Sequence, residues 1–216
     1  MPILLPLYVH PSVDPAAWHA AESAAGELTV VVDDGGSPQP AHRPHLGRDE
    51  PDPELVDAVA RLAKAGVAAL GRVDTGFATR PVADLLDEVT RWSGSPVAGI
   101  FLDQAPTSPF CLGPVALAVR VARRAGLSTV VLNPGVPTDP LYRDLGAPIC
   151  TFEGSWAEYR RWSEQGAQAG DGHLVHSVPM AALPAARALL QERGAGWGLV
   201  THRTPPAPYA GLPGWL

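Results

Sequence analysis

The sequence predicts a closed barrel of eight parallel strands alternating with helices, and three observations predict it. Eight short apolar runs are separated by segments whose apolar residues recur at helical spacing. The runs begin near residues 3, 28, 67, 97, 128, 147, 173 and 196, so a strand and its crossover take about 28 residues, the size of one βα unit. The runs are continuously apolar, as in strands buried on both faces of a parallel sheet. Eight such units make a compact (β/α)8 barrel of the α/β class, and 216 residues lie near that fold's lower limit of roughly 200. An open doubly wound sheet is the runner-up, but no Gly-x-Gly-x-x-Gly follows the first run to support its dinucleotide-binding form.

Taken in order, the first strand runs from Ile3 to Val9 and ends at His10-Pro11. Asp14-Pro15 opens a helix, with Asp as N-cap and Pro at the first helical position, where its missing N–H costs nothing. Gly26 stops it, and the β-branched run Leu28 to Val32 is the second strand. Residues 35–51, rich in Gly, Pro and His, form a loop. Asp52-Pro53 repeats the helix start, and Leu55, Val59 and Leu62 recur at helical spacing until Gly66. Val67 to Val73 is a strand, and Val82, Leu85, Leu86 and Val89 form a helical apolar stripe. Val97 to Leu102 is a strand, and Pro114 to Ala125 a helix with Gly126 beyond it. Thr129 to Leu132 is a strand, and Asp139-Pro140 opens a short helix. Ile149 to Phe152 is a strand, followed by a capping box from Ser155 to Glu158. His173 to Val178 is a strand, Leu183, Ala186, Leu189 and Leu190 stripe a helix closed by Gly194, and Trp197 to Thr201 is the last strand. Residues 204–216, with four prolines, read as an extended closing tail of a single domain spanning 1–216.

Composition narrows the function. Apolar residues make up 46 % of the chain, which excludes intrinsic disorder. A net charge of −6 disfavours a nucleic-acid partner, and no apolar run approaches the ~20 residues of a membrane span. The N-terminus lacks a basic region, and Pro2 and Pro6 break any leader helix, so the expected location is cytoplasmic unless an export signal has been removed. Cys111 and Cys150 lie in apolar surroundings and read as small buried hydrophobes.

In a barrel of this kind, chemistry sits where strands end and βα loops begin. The polar residues there include Tyr8, Asp33, Asp74, Thr75, Asp103, Gln104, Asn133, Glu153, His176 and Thr201. Carboxylates, an amide and imidazoles, with Tyr8 and Phe77 nearby, suit a sugar-binding mouth. Asp103 is the sharpest of them, because an apolar strand delivers it where no helix needs a cap before Pro109. Each of the others has a plainer use in a turn, an ion pair or a helix cap. His42 and His45 share a loop with Asp49 and Glu50, but the spacing is loose and a solvated loop fits better than a metal site. A serine nucleophile elbow and a phosphate-cradling loop are both absent. What remains is catalysis by two carboxyl groups, Asp103 and Glu153, with no metal or cofactor. The ligand would be a carbohydrate or another polar small molecule.

The sequence also resembles a known family. Leu-Leu-Pro-Leu-Tyr-Val-His-Pro (4–11), Leu-Gly-Arg-Val-Asp-Thr-Gly-Phe-Ala-Thr-Arg (70–80) and Val-Ala-Gly-Ile-Phe-Leu-Asp-Gln (97–104) look like the spherulin-4, or spherulation-specific family 4, proteins. Val-Val-Leu-Asn-Pro-Gly (130–135), Thr-Phe-Glu-Gly-Ser-Trp (151–156), His-Leu-Val-His-Ser-Val-Pro (173–179) and the closing Trp, Tyr and Pro pattern continue the likeness in order. The resemblance implies a (β/α)8 barrel and kinship to glycoside hydrolases that cleave α-1,4-linked N-acetylgalactosamine in microbial galactosaminogalactan. It implies catalytic positions at Asp103, Gln104 and Glu153. It implies mouth-lining positions at Tyr8, Thr75, Arg80, Asn133, His176, Thr201 and Tyr209. The chain departs from the family pattern at Gln104, which stands for a Glu, at Asp33-Asp34-Gly35-Gly36, which stands for an Asn-Pro start, and at His202, where an acid is usual. Gln cannot carry a transferable proton at neutral pH. The expected function is therefore a glycosidase-like enzyme acting on an amino-sugar bond. The alternatives are a silent sugar-binding barrel or a barrel repurposed for other chemistry in cytoplasmic or secondary metabolism.

Overall fold

The computed structural model describes residues 1–24, 27–35 and 52–213. Eight parallel strands, β1 (Ile3–Leu7), β2 (Leu28–Val32), β3 (Ala68–Asp74), β4 (Gly99–Asp103), β5 (Thr129–Asn133), β6 (Cys150–Ser155), β7 (Gly172–His176) and β8 (Trp197–Val200), form one sheet. Its order is β5-β4-β3-β2-β1-β8-β7-β6, and a lone parallel bridge from Leu132 to Ile149 joins the two edges. The sheet thus closes into the predicted barrel, with full ladders along most joins and a thin seam between β5 and β6. Helices α1 (Pro15–Glu22), α2 (Pro53–Lys64), α3 (Val82–Trp92), α4 (Leu112–Arg124), α5 (Trp156–Tyr159) and α6 (Leu183–Glu192) cover the outside. Residues 36–51 of the predicted loop 35–51, with His42, His45, Asp49 and Glu50, and the predicted stop at Gly26 lie outside the described residues.

The caps form as their sequences dictate. Asp14 accepts from the Ala17 N–H and Asp52 from the Glu54 N–H, each just before a proline, and Ser155 and Glu158 close both halves of the capping box. Each cap contributes about 1 kcal/mol. The residues after Asp139 form a 3-10 turn, Pro140–Leu145, that ends at Gly146 with φ 59°.

The buried face of α3 differs from the predicted stripe. Leu85 and Val89 are buried, but Val82 is exposed, and Glu88 and Trp92 complete the face. Trp92 sets the rotation of the helix. Its ring lies where a Cβ on Gly71 would be, 2.2 Å away, and its indole N–H donates to the Arg72 carbonyl at 2.9 Å. Cys150 is buried as expected, whereas Cys111, in the loop before α4, is only half-buried. Of the closing tail, residues 204–213 run in turns at 205–206 and 208–209 rather than extended, and the Ala210 N–H returns to the Ala207 carbonyl. Among the described residues no helix is long and apolar enough to cross a membrane.

Candidate active site

Strand register brings the polar ends to one level. Asp74 pairs with Asp103 across β3 and β4, and Asp103 with Asn133 across β4 and β5. Val32 pairs with Gly71, which sets Asp33 beside Arg72. In β3, Arg72 and Asp74 are two residues apart and so share the inner face.

Arg72 is the hub of this level. Its Nε donates to Asp103 Oδ2 at 2.7 Å, Nη1 to Asp33 Oδ2 at 3.0 Å and Nη2 to Asp74 Oδ2 at 3.5 Å. The guanidinium lies 5.0 Å from the centre of the Tyr8 ring. Burial works against the Arg72 charge, but the fields of the Asp103 and Asp33 carboxylates outweigh it and hold the group protonated. Burial raises the Asp33 carboxyl, with Arg72 opposing.

Asp103 also accepts from the Gln104 N–H at 3.0 Å and from Asn133 Nδ2 at 2.8 Å, both on Oδ1. The same Asn133 nitrogen donates to Glu153 Oε2 at 2.6 Å. One nitrogen therefore ties the two carboxylates together. Their facing oxygens are no further apart than those two bonds laid end to end, which is closer than the roughly 6.5–9.5 Å of inverting glycosidases. Asn133 stands on β5 and Glu153 on β6, so this tie crosses the thin seam, as does the Glu153 N–H to the Gly135 carbonyl at 3.0 Å. The other Glu153 oxygen accepts from the Tyr209 hydroxyl, carried in by the tail, at 2.8 Å. Burial, and then the nearby charge of Asp103, raises the Glu153 carboxyl above its ordinary value.

The remaining predicted residues divide. The Thr75 hydroxyl donates to the Gln104 carbonyl at 2.6 Å, and the Thr201 hydroxyl accepts from the Arg203 N–H at 3.2 Å, so both tie down loops. Arg80 braces the loop after β3 through Glu88 and the Asp74 carbonyl. His176, half-buried, bonds Ser177 Oγ at 2.9 Å, and burial lowers its imidazole. The Gln104 backbone is left-handed at φ 50°, and its side chain makes no hydrogen bond to another described residue. Phe77, Ala78 and Ser177 share positive φ, so all four non-glycine outliers among the described residues follow strand ends at the mouth. Such strain collects at functional sites. Tyr8 and Phe77 expose aromatic faces there, at 38 % and 59 %.

Sequence reasoning missed Arg72 as part of the site. Its signal was a lone cation inside an apolar strand, which is costly unless paired. Among the described residues no group of three or more His, Cys, Asp or Glu side chains is arranged to hold a metal ion.

The model of a family described as spherulation-specific family 4 matches residues 2–215. Spherulin-4 of Physarum polycephalum is 26 % identical over 157 residues, 70 % of this chain and 44 % of its own, so the chain spans less than half that relative's length. The crystal structure of Aspergillus clavatus Sph3 in complex with GalNAc matches with a TM-score of 0.81 at 24 % identity, covering 99 % of this chain and 93 % of that one. The two share a fold.

Proposed function

The chain belongs to spherulation-specific family 4, and from that membership and the carboxylate geometry we propose that it hydrolyses a glycosidic bond of an amino sugar, of the α-1,4-galactosaminide type. The observation that carries the reading is the single Asn133 nitrogen bonded to both Asp103 and Glu153. It holds the two carboxyl groups closer than an inverting mechanism needs, which supports a retaining one, in which one attacks the sugar and the other transfers the proton. The raised Glu153 carboxyl suits the part of proton donor. Tyr8 offers an aromatic face for a pyranose ring beside these groups. The GalNAc bound by the Sph3 relative supports the choice of sugar.

Mass spectrometry of α-1,4-linked galactosamine and N-acetylgalactosamine oligomers incubated with the protein tests the proposal. Shorter oligomers are expected with the wild type, and Asp103→Asn and Glu153→Gln should each lower the rate at least a hundredfold. Gln104 favours a second reading, a barrel that binds sugar without cleaving it. Cleavage by Gln104→Glu alone would establish that reading, and no cleavage by either protein would sink the first.

A further inference from the structure

We infer that Arg72 is the positioning residue that divides the work between the two carboxyl groups, keeping Asp103 as the attacking anion and leaving Glu153 to give and take the proton. This rests on the glycosidase reading of the site. Arg72 touches one member of the pair only, through Nε to Asp103 Oδ2 at 2.7 Å. Glu153 instead receives two neutral donors, the Asn133 amide and the Tyr209 hydroxyl. A fixed, half-buried cation thus serves one carboxylate, and the other has none within bonding reach among the described residues.

The surroundings reinforce the asymmetry. Facing Arg72 are Asp33 after β2, Asp74 on its own strand, Asp103 on β4 and the Tyr8 ring after β1. Three carboxylates fix the guanidinium in place, so it cannot swing to Glu153 without leaving Asp33 and Asp74 unpaired. Facing Glu153, besides its two donors, are the charge of Asp103, the Tyr8 phenol after β1, the buried Cys150 thiol and, at longer range, Arg72. Burial and the Asp103 charge both favour a proton on Glu153.

The chemistry then balances. In the first step an Asp103 oxygen bonds to the anomeric carbon. The glycosidic C–O bond breaks, its electron pair leaves on the departing oxygen, and that oxygen takes the Glu153 proton. In the second step the Glu153 carboxylate takes a proton from water, whose oxygen attacks the anomeric carbon. The ester bond to Asp103 breaks, restoring the Asp103 carboxylate and the Glu153 acid.

A carboxyl 13C NMR titration of the free protein tests the division without any substrate. A failure of the glycosidase reading and a failure of this inference are therefore separate results. In the wild type, Asp103 is expected to release its proton at least tenfold more readily than Glu153, and Arg72→Gln should shrink that ratio at least tenfold. If circular dichroism shows Arg72→Gln unfolded, the ratio is read in Arg72→Lys, whose ammonium cannot fork to three carboxylates, and should fall between the two. On cleaved oligomers, Arg72→Gln moves the acid limb of the kcat profile up in pH, a shift that a merely structural role would not produce. Arg72→Lys keeps that limb nearer the wild type while kcat stays low. Glu153 releasing its proton before Asp103 in the wild type, or an unchanged ratio in a folded variant, overturns the inference.

Discussion

Glu153 is held by a residue 56 positions further along the chain: the Tyr209 hydroxyl donates to Oε1 at 2.8 Å. A donor on a carboxylate favours its charged form, so removing it should push the raised Glu153 carboxyl higher still. Tyr209→Phe keeps the ring buried and deletes only the donor. The expected result is an alkaline limb of the kcat profile moved up in pH. With it comes a loss of about ten- to hundredfold in kcat, the worth of a hydrogen bond to a charged group, and a melting temperature close to the wild type. A variant that melts much earlier with its pH limbs unmoved would make Tyr209 a packing residue only. Tyr209 could be placed from sequence only through its family motif, because its Pro-rich surroundings have no period to say where the ring points. Arg72 was illegible for a related reason. Its partners Asp103 and Asp33 lie 31 and 39 positions away, and only strand register brings them together.

At the level of elements, α3 carries the group that responds most directly to pH. Glu88 is 2 % exposed on its buried face, bonded through Oε2 to Arg80, while Oε1 has no partner among the described residues. Burial, with Arg80 opposing, pushes its carboxyl from an ordinary 4.5 up to about 7. The folded protein therefore keeps a proton that the unfolded chain has released. The stability this group contributes is full below about pH 4.5 and is lost as pH rises through about 7. His173, buried and lowered to about 4, has the opposite slope below its ordinary 6.5, so the two separate above that pH. Thermal melts from pH 6.5 to 8 should fall in the wild type and stay flatter in Glu88→Gln; equal slopes would exclude Glu88 as the source. The sequence predicted this helix but assigned the exposed Val82 to the buried stripe and left out Trp92, because nothing local reveals that Trp92 packs on Gly71. Strand ends were more legible. An apolar run that stops at a carboxylate or amide marks its own boundary, as Asp74, Asp103 and Asn133 do.

For the molecule as a whole, the eightfold rhythm of apolar runs was enough to predict a barrel, since short crossovers between parallel strands leave few other closures. The rhythm says nothing of how tightly each join is made. Between β5 and β6 it is one bridge, the Leu132 N–H to the Pro148 carbonyl, the Glu153 N–H to the Gly135 carbonyl, and the Asn133 side chain. Asn133→Ala should speed hydrogen exchange at the Leu132 and Glu153 amides while leaving the Leu102 amide in β4 as slow as before. Uniform acceleration would mean general destabilisation rather than a loosened seam. Asp103 stands on one bank of this join and Glu153 on the other, so the girth of the hoop would also set the gauge of the proposed hydrolysis. Retaining and inverting spacings differ by only about 1–4 Å. A barrel that relaxed by one such notch would keep every residue it needs and admit water to the opposite face of the sugar.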